Sequence, residues 1–256
     1  MRYIIMILCF TLNLLICIGV PIGVLIYLLV KKKEYLKPFL MGVVVFVVSQ
    51  VCLRIPLLNI VLAQTSWYQS LSNLHPISYS IFLGITAGIF EEVGRYCGFN
   101  YGLKRNRSFK DGVAFALGHG GIEAILLAGI SSLYNLLILL YISFGHTSGT
   151  ILGVDIQTAI ASFSSASYLS IIVIGIERIF AMCIHLGLTM LVLYGVNKNK
   201  IGYLLLAMFI HGVVDFGAVL LGIFGFNTII IESWCLLCAL IAIILTMKIK
   251  RCIKEV

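Results

Sequence analysis

The chain has 256 residues, 61% hydrophobic and only 11% charged, with a net charge of +8 and a mean hydropathy of +1.11. A soluble domain carries about 25% charged residues, so this composition cannot cover a globular surface and reads as an all-α polytopic membrane protein. The positive balance is not a nucleic-acid footprint, because 14 of the 18 Lys and Arg lie in four short clusters, 31–37, 104–110, 197–200 and 248–254. Such clusters at alternate helix ends are a topology signal.

Apolar runs long enough to cross a bilayer predict about seven transmembrane helices, near 3–30, 38–63, 79–103, 112–142, 168–196, 201–224 and 228–248. The first exceeds a signal-peptide core and lacks a small-residue cleavage site, so it is read as a helix, kinked by Pro21. Connections 64–78, 143–167 and 225–227 contain no Lys or Arg. This predicts an outside N-terminus and a cytoplasmic C-terminus. The polar connection 143–167 is read as holding a short interfacial helix around 154–165. No linker divides the chain, so 1–256 is taken as one helical domain in a bacterial plasma membrane.

Cysteines Cys9, Cys17, Cys52, Cys97, Cys183, Cys235 and Cys238 fall in apolar runs and Cys252 in the basic tail. They are read as inert thiols, including the CxxC of "WCLLC", which has no further ligand nearby. Arg54 and Asn13 are read as interhelical contacts or snorkelling groups. His75 and His146 are read as exposed loop histidines.

Charges inside the spans carry the functional signal. Five of the ten acidic residues, Glu91, Glu92, Glu123, Glu177 and Asp215, lie within predicted helices. They are joined there by His119, His185, His211, Arg95 and Arg178. Each is costly in a bilayer and marks a functional site by default. Glu34, Asp111 and Glu255 sit at basic edges, and Asp155 and Glu232 in or near the opposite ones. Glu91/Arg95, His119/Glu123 and His211/Asp215 are each four apart and stack on one helix face, and Arg178 and His185 share a face seven apart. At ~1.5 Å rise per residue these groups reach a common depth at the midplane or slightly toward the basic end. Gly118, Gly120 and Gly121 flank His119 and permit close helix approach.

These are the parts of a hydrolytic centre. A carboxylate can act as general base on water, with a histidine holding the water or donating a proton. Asp215 or His211 can donate to a developing oxyanion, and Arg95 holds one of the two adjacent carboxylates ionised. The HxxxE and HxxxD pairs equally offer His119, Glu123, His211 and Asp215 as ligands for a divalent metal such as zinc. There is no HExxH zincin motif and no GxSxG motif. A proton- or cation-coupled transporter with a Glu/His/Asp relay is the alternative, but no internal repeat supports it.

The set "EEVGR" (91–95), "FALGH" (115–119) and "HGVVD" (211–215) resembles the three-motif signature of the CAAX-protease and bacteriocin-processing (CPBP) group and of the PrsW proteases. With "GHGGIE" and the "ER…H" helix at 177–185, it most resembles the YhfC family of glutamic-type intramembrane proteases, over roughly residues 80–220. The resemblance implies hydrolysis of a membrane-embedded or lipid-linked peptide, expected in the cytoplasmic half. It implies Glu91 as the water-activating base and His119 as its partner. Glu92 and Arg95 would be supporting groups, with His211 and Asp215 on the oxyanion side. The EExxR spacing follows the PrsW pattern rather than the EExxxR of CPBP members, so either glutamate is compatible with the role of base. Glu123, Glu177, Arg178 and His185 have no counterpart in that core and are assigned as supporting groups by spacing.

Overall fold

The computed structural model describes residues 2–253; Lys254 of the terminal basic cluster, and Glu255 beyond it, lie outside the described residues. Seven helices are long and apolar enough to cross a membrane. They are α1 (Arg2–Lys31), α2 (Lys33–Gln64), α4 (Pro76–Gly102), α5 (Phe109–Ser143), α7 (Tyr168–Asn197), α8 (Gly202–Ile223) and α9 (Thr228–Lys250). The expected spans agree with these within a few residues, because a bilayer demands about 20 consecutive apolar residues whatever the packing. The connection after α2 folds into a further short helix, α3 (Ser66–Leu74), where only a loop was expected.

The start signals are local. Ser108 and Asp111 form a reciprocal capping box at the start of α5, and Ser167 and Asn227 cap α7 and α9. These side chains satisfy N–H groups left free by the first helical turn.

Helix α7 is the axis of the bundle. In its most apolar window 61% of residues are buried, against 17–33% in the other spans. Around it α4 packs on α8 and α2 on α5 over the longest contacts. Both pairs approach backbone to backbone through glycine. A Cβ on Gly42 or Gly118 would collide with the carbonyl of Phe115 or Phe39, and one on Gly84 or Gly88 with that of Gly212 or Met208. The first pair seats His119 beside α2, and the second aligns Glu91 and Glu92 with His211. Gly120 and Gly121 face Met182 and Pro21.

Several spans contain π-helical turns: Leu15–Gly19 in α1, Val47–Arg54 and Leu57–Val61 in α2, Gly98–Gly102 in α4 and Ile125–Gly129 in α5. Each such turn inserts a residue and re-aims the following side chains. Pro21, where a kink was expected, lies two residues beyond the first of them.

The connection 143–167 forms a two-residue hairpin, β1 (Thr150–Ile151) and β2 (Val154–Asp155), and then α6 (Ile156–Ser165). The short helix lies where it was expected. It buries Ile156, Ala159 and Phe163 against Met6, Phe10, Ile138 and Ile142, and Arg2 donates to the carbonyls of Phe163 and Ala166 at its end. Asn13, 0% exposed, donates to Ile171 O at 2.7 Å and accepts from Gly175 N at 3.1 Å. It is interhelical glue, as expected.

All eight cysteines are free, but Cys52 and Cys97 are exposed on the outer face of the bundle rather than buried. The apolar environment expected for them is that of lipid, which hydropathy alone does not distinguish from a protein core.

The glycine contacts give a test. Gly84→Leu must part α4 from α8, and overpacking typically costs about 1–3 kcal/mol. A lowered Tm of the purified protein in detergent is the expected result, with Gly23→Leu, where nothing lies within 4 Å of the added Cβ, unchanged.

Candidate active site

Four helices deliver the intramembrane charges to one place. Glu91, Glu92 and Arg95 come from α4, His119 and Glu123 from α5, Glu177, Arg178 and His185 from α7, and His211 and Asp215 from α8. Glu92, Arg95 and His119 are fully buried, and Glu91, His185 and His211 nearly so.

Arg95 is the hub. One guanidinium nitrogen donates to Glu92, and Nη2 lies 3.1 Å from Glu91 Oε2, 2.9 Å from His119 Nε2 and 2.6 Å from His185 Nδ1. A guanidinium can only donate, so His185 Nδ1 accepts and a neutral His185 carries its proton on Nε2. That nitrogen faces Glu123 Oε2. Glu123 is held from its other side by Arg178 Nη1 at 3.0 Å, and Arg178 also pairs with Glu177.

Glu91 and Glu92 are adjacent in sequence but differently placed. Glu91 Oε2 is 2.9 Å from His119 Nε2, and Oε1 accepts from Gln50 Nε2. Glu92 Oε1 lies 2.6 Å from His211 Nδ1. This bond leaves His211 Nε2 3.8 Å from both Glu91 Oε1 and Asp215 Oδ2. Phe46 and Phe115 wall the His119 ring on two sides.

A cavity of about 120 Å³ meets this cluster, with room for several waters, lined by Glu91, Glu123, His185, His211 and Asp215 among others. Glu92 and His119 do not line it. Its remaining walls include Ala218 and Cys235, within about two turns of the 224–227 connection. The cavity therefore extends from the midplane toward the end whose loops lack Lys and Arg. Short side chains (Ala181, Ala218, Cys235) help to open the space.

All ten intramembrane site residues are thus brought together, but in a different grouping from the one spacing suggested. Glu91, His119, Glu123 and His185 each offer a ligand atom within 4.8 Å of the others. His211 pairs with Glu92 instead, and Asp215 stands at the cavity wall. Two groups outside the expected set complete the site, Gln50 and Arg54, both on α2. Arg54, half-buried, is bound by Gln50 Oε1, Thr86 Oγ1 and Leu83 O, which makes it a connector between α2 and α4. Their i,i+4 spacing within an apolar run was the available signal. His75 and His146 are exposed as expected, the latter stacked on Tyr141.

The composition of the cluster suits a divalent cation. Two carboxylates and two imidazoles are the donor types that zinc takes. Glu123 Oε2 touches His185 Nε2 but has no aligned hydrogen-bond donor. Of the five carboxylates here, Glu91 and Glu92 pair with Arg95, and Glu123 and Glu177 with Arg178, while Asp215 contacts no guanidinium; even with Arg54 as a third cation, negative charge remains for protons or a metal to offset.

The family model for "YhfC intramembrane metalloprotease" matches residues 16–234. The chain belongs to this family. It is also 33% identical, over 205 residues, to the "Uncharacterized membrane protein YhfC" of Bacillus subtilis (strain 168), covering 78% of this chain and 79% of that one. No solved structure matches significantly. The YhfC match extends well beyond the 80–220 core and takes in α2, where Gln50 and Arg54 lie.

Removal of the hub has a defined consequence. Arg95→Met leaves Glu91 and Glu92 buried without their counter-charge, and breaking a buried ion pair from one side costs about 3–5 kcal/mol. A large fall in Tm in detergent is expected, with Arg95→Lys recovering little of it because an ammonium cannot span the same four partners. Full stability of Arg95→Met would refute the hub assignment.

Proposed function

We propose that the chain is an intramembrane endopeptidase of a bacterial cell membrane, cutting a membrane-embedded or lipid-linked peptide at the cavity beside Glu91, with a divalent metal such as zinc as its cofactor. The supporting observation is the buried Glu91/His119/Glu123/His185 set opening on space for water. Membership of a family described as intramembrane metalloproteases supports the reaction class.

In this reading Glu91, His119, Glu123 and His185 would hold the ion. When bound, it would polarise the scissile carbonyl and activate water. The chain's own groups do the rest. His211 presents Nε2 to the cavity, and Glu92 on its Nδ1 fixes the tautomer and stabilises the imidazolium, the role a carboxylate plays in other His-based catalysts. His211 therefore takes the proton of the attacking water and returns it to the leaving amide nitrogen. Asp215, one turn along α8, faces the same space and is placed to orient the peptide. Arg95 locks the two α4 carboxylates in their separate roles. Arg178 and Glu177 fix Glu123 from the cavity side. Access from the end without Lys and Arg corresponds, under the positive-inside assignment, to the outer half of the bilayer.

A metal-free, glutamic-type reading is favoured by one observation: Arg95 Nη2 already places a cation within 2.6–3.1 Å of Glu91, His119 and His185. Glu91 is then the base, since it and not Glu92 meets the cavity.

A fluorogenic membrane-peptide library incubated with purified protein separates these readings. Glu91→Gln is expected to abolish cleavage under both. His211→Gln should lower kcat by about 10²–10⁴-fold with KM little changed. A strong chelator abolishes activity, restored by added zinc, only if a metal is used. Cleavage that survives chelation but not Glu91→Gln assigns the glutamic type. Cleavage undiminished in Glu91→Gln ends the protease assignment to this site.

A further inference from the structure

The Glu91 carboxylate is gripped from a helix that carries none of the motif residues. Gln50, in the π-helical turn Val47–Arg54 of α2, is 5% exposed. Its Nε2 donates to Glu91 Oε1 at 2.5 Å, and its Oε1 accepts from Arg54 Nη1 at 3.2 Å. Arg54 is in turn tied to α4, through Leu83 O at 2.8 Å and Thr86 Oγ1 at 3.2 Å. Thr86 also donates to Leu83 O.

This chain of bonds has a single direction. An amide has one donating and one accepting end, a guanidinium only donates and an ionised carboxylate only accepts. With Arg54 on one side, the Gln50 oxygen must turn toward it, and the amide nitrogen must turn toward Glu91. The reverse orientation would set the amide oxygen against a carboxylate and its N–H groups against a guanidinium. Arg54 therefore sets the rotamer of Gln50, and Gln50 in turn sets that of Glu91.

Glu91 needs such a peg. The terminal torsion of a glutamate is broad and two-fold, so a carboxylate held on one oxygen alone can swap its oxygens or swing. Here Oε1 is committed to Gln50, and Oε2 is left facing His119, Arg95 and His185. We propose that Gln50, oriented by Arg54, is a positioning residue for Glu91, fixing Oε1 so that Oε2 is the single atom Glu91 offers to a bound divalent metal. This rests on the metal-dependent reading above for its second clause, but the positioning of Glu91 does not.

The test uses the full-length protein in detergent. Zn²⁺ affinity is measured by competition with a chromophoric chelator for wild type, Gln50→Met, Arg54→Met and the double variant. Methionine keeps the unbranched shape and removes the polar end. Loss of an outer partner of a metal ligand typically weakens binding about 10–100-fold, and that is expected for Gln50→Met. Arg54→Met should lose less, and the double variant no more than Gln50→Met alone, because Arg54 acts only through Gln50. Wild-type affinity in Gln50→Met, or losses that multiply in the double variant, overturns the proposal.

A second readout needs no metal. In the chelator-treated protein, Gln50→Met should shift a carboxylate antisymmetric stretch in the infrared difference spectrum. The shift should vanish in a Glu91→Gln background. No shift overturns the positioning role, and should Gln50→Met not fold, Arg54→Met supplies the same difference spectrum. If wild type binds neither Zn²⁺, Co²⁺ nor Mn²⁺ while the infrared shift is present, the metal reading fails and the positioning of Glu91 stands.

Discussion

A guanidinium buried at the centre of a helical bundle must have acceptors on every side, since the desolvation of an unpaired ion there costs several kcal/mol at least. Arg95 meets most of that demand by drawing on three helices at once, with only its Nε lacking an acceptor: two carboxylates from its own turn, His119 from α5 and His185 from α7. The rest of the bundle can be understood as what makes those contacts reachable. Gly42 and Gly118 let α5 sit close to α2, Gly84 and Gly88 let α8 sit close to α4, and α7 occupies the axis because it supplies partners to both sides. In water the same pairing would be worth little. In a bilayer it determines which helices must be neighbours.

The same constraint separates the two glutamates. Side chains three and four residues before an arginine both reach it, so Glu92 and Glu91 each contact Arg95, but they leave it in different directions. Glu92 runs to His211 and is sealed from the cavity, while Glu91 faces the cavity and is clasped by Gln50 and His119. An adjacent pair of acids thereby occupies two environments, one against His211 and one on the cavity. Sequence spacing could not divide these roles, because a 100° rotation between neighbours places both near the Arg but says nothing of which partner each meets.

What was legible in the sequence follows from where the energetic penalties are large. Seven spans were readable because hydrocarbon thickness sets their length, and the intramembrane charges because each is expensive enough to need a reason. Gln50 escaped for the converse reason. A neutral amide in an apolar run carries a modest penalty and no strong pattern, and Arg54 resembles a snorkelling residue until the π-helical turn of α2 is seen to aim it at α4. Spacing along one helix identified the groups, but their convergence across helices depends on packing. His119 and Glu123 do converge through His185, but His211 and Asp215 stay 3.8 Å apart, because Glu92 has drawn the His211 ring toward α4.

Charge balance links the site to its function. A structural cluster needs only as many acids as it has cations, and Arg95, Arg178 and Arg54 would be matched by three. The further carboxylates add desolvation cost without stabilising the fold in proportion. Replacing such a network by apolar side chains is often neutral or stabilising, so its presence in a bundle already held by close glycine contacts points away from a purely structural purpose. Excess negative charge around two imidazoles, beside a cavity large enough for water, is what a site needs if it is to bind a cation or take up and release protons during hydrolysis. The five carboxylates are costly for folding, and pairing Glu91 and Glu92 with Arg95, and Glu123 and Glu177 with Arg178, keeps that cost within what the bundle can bear.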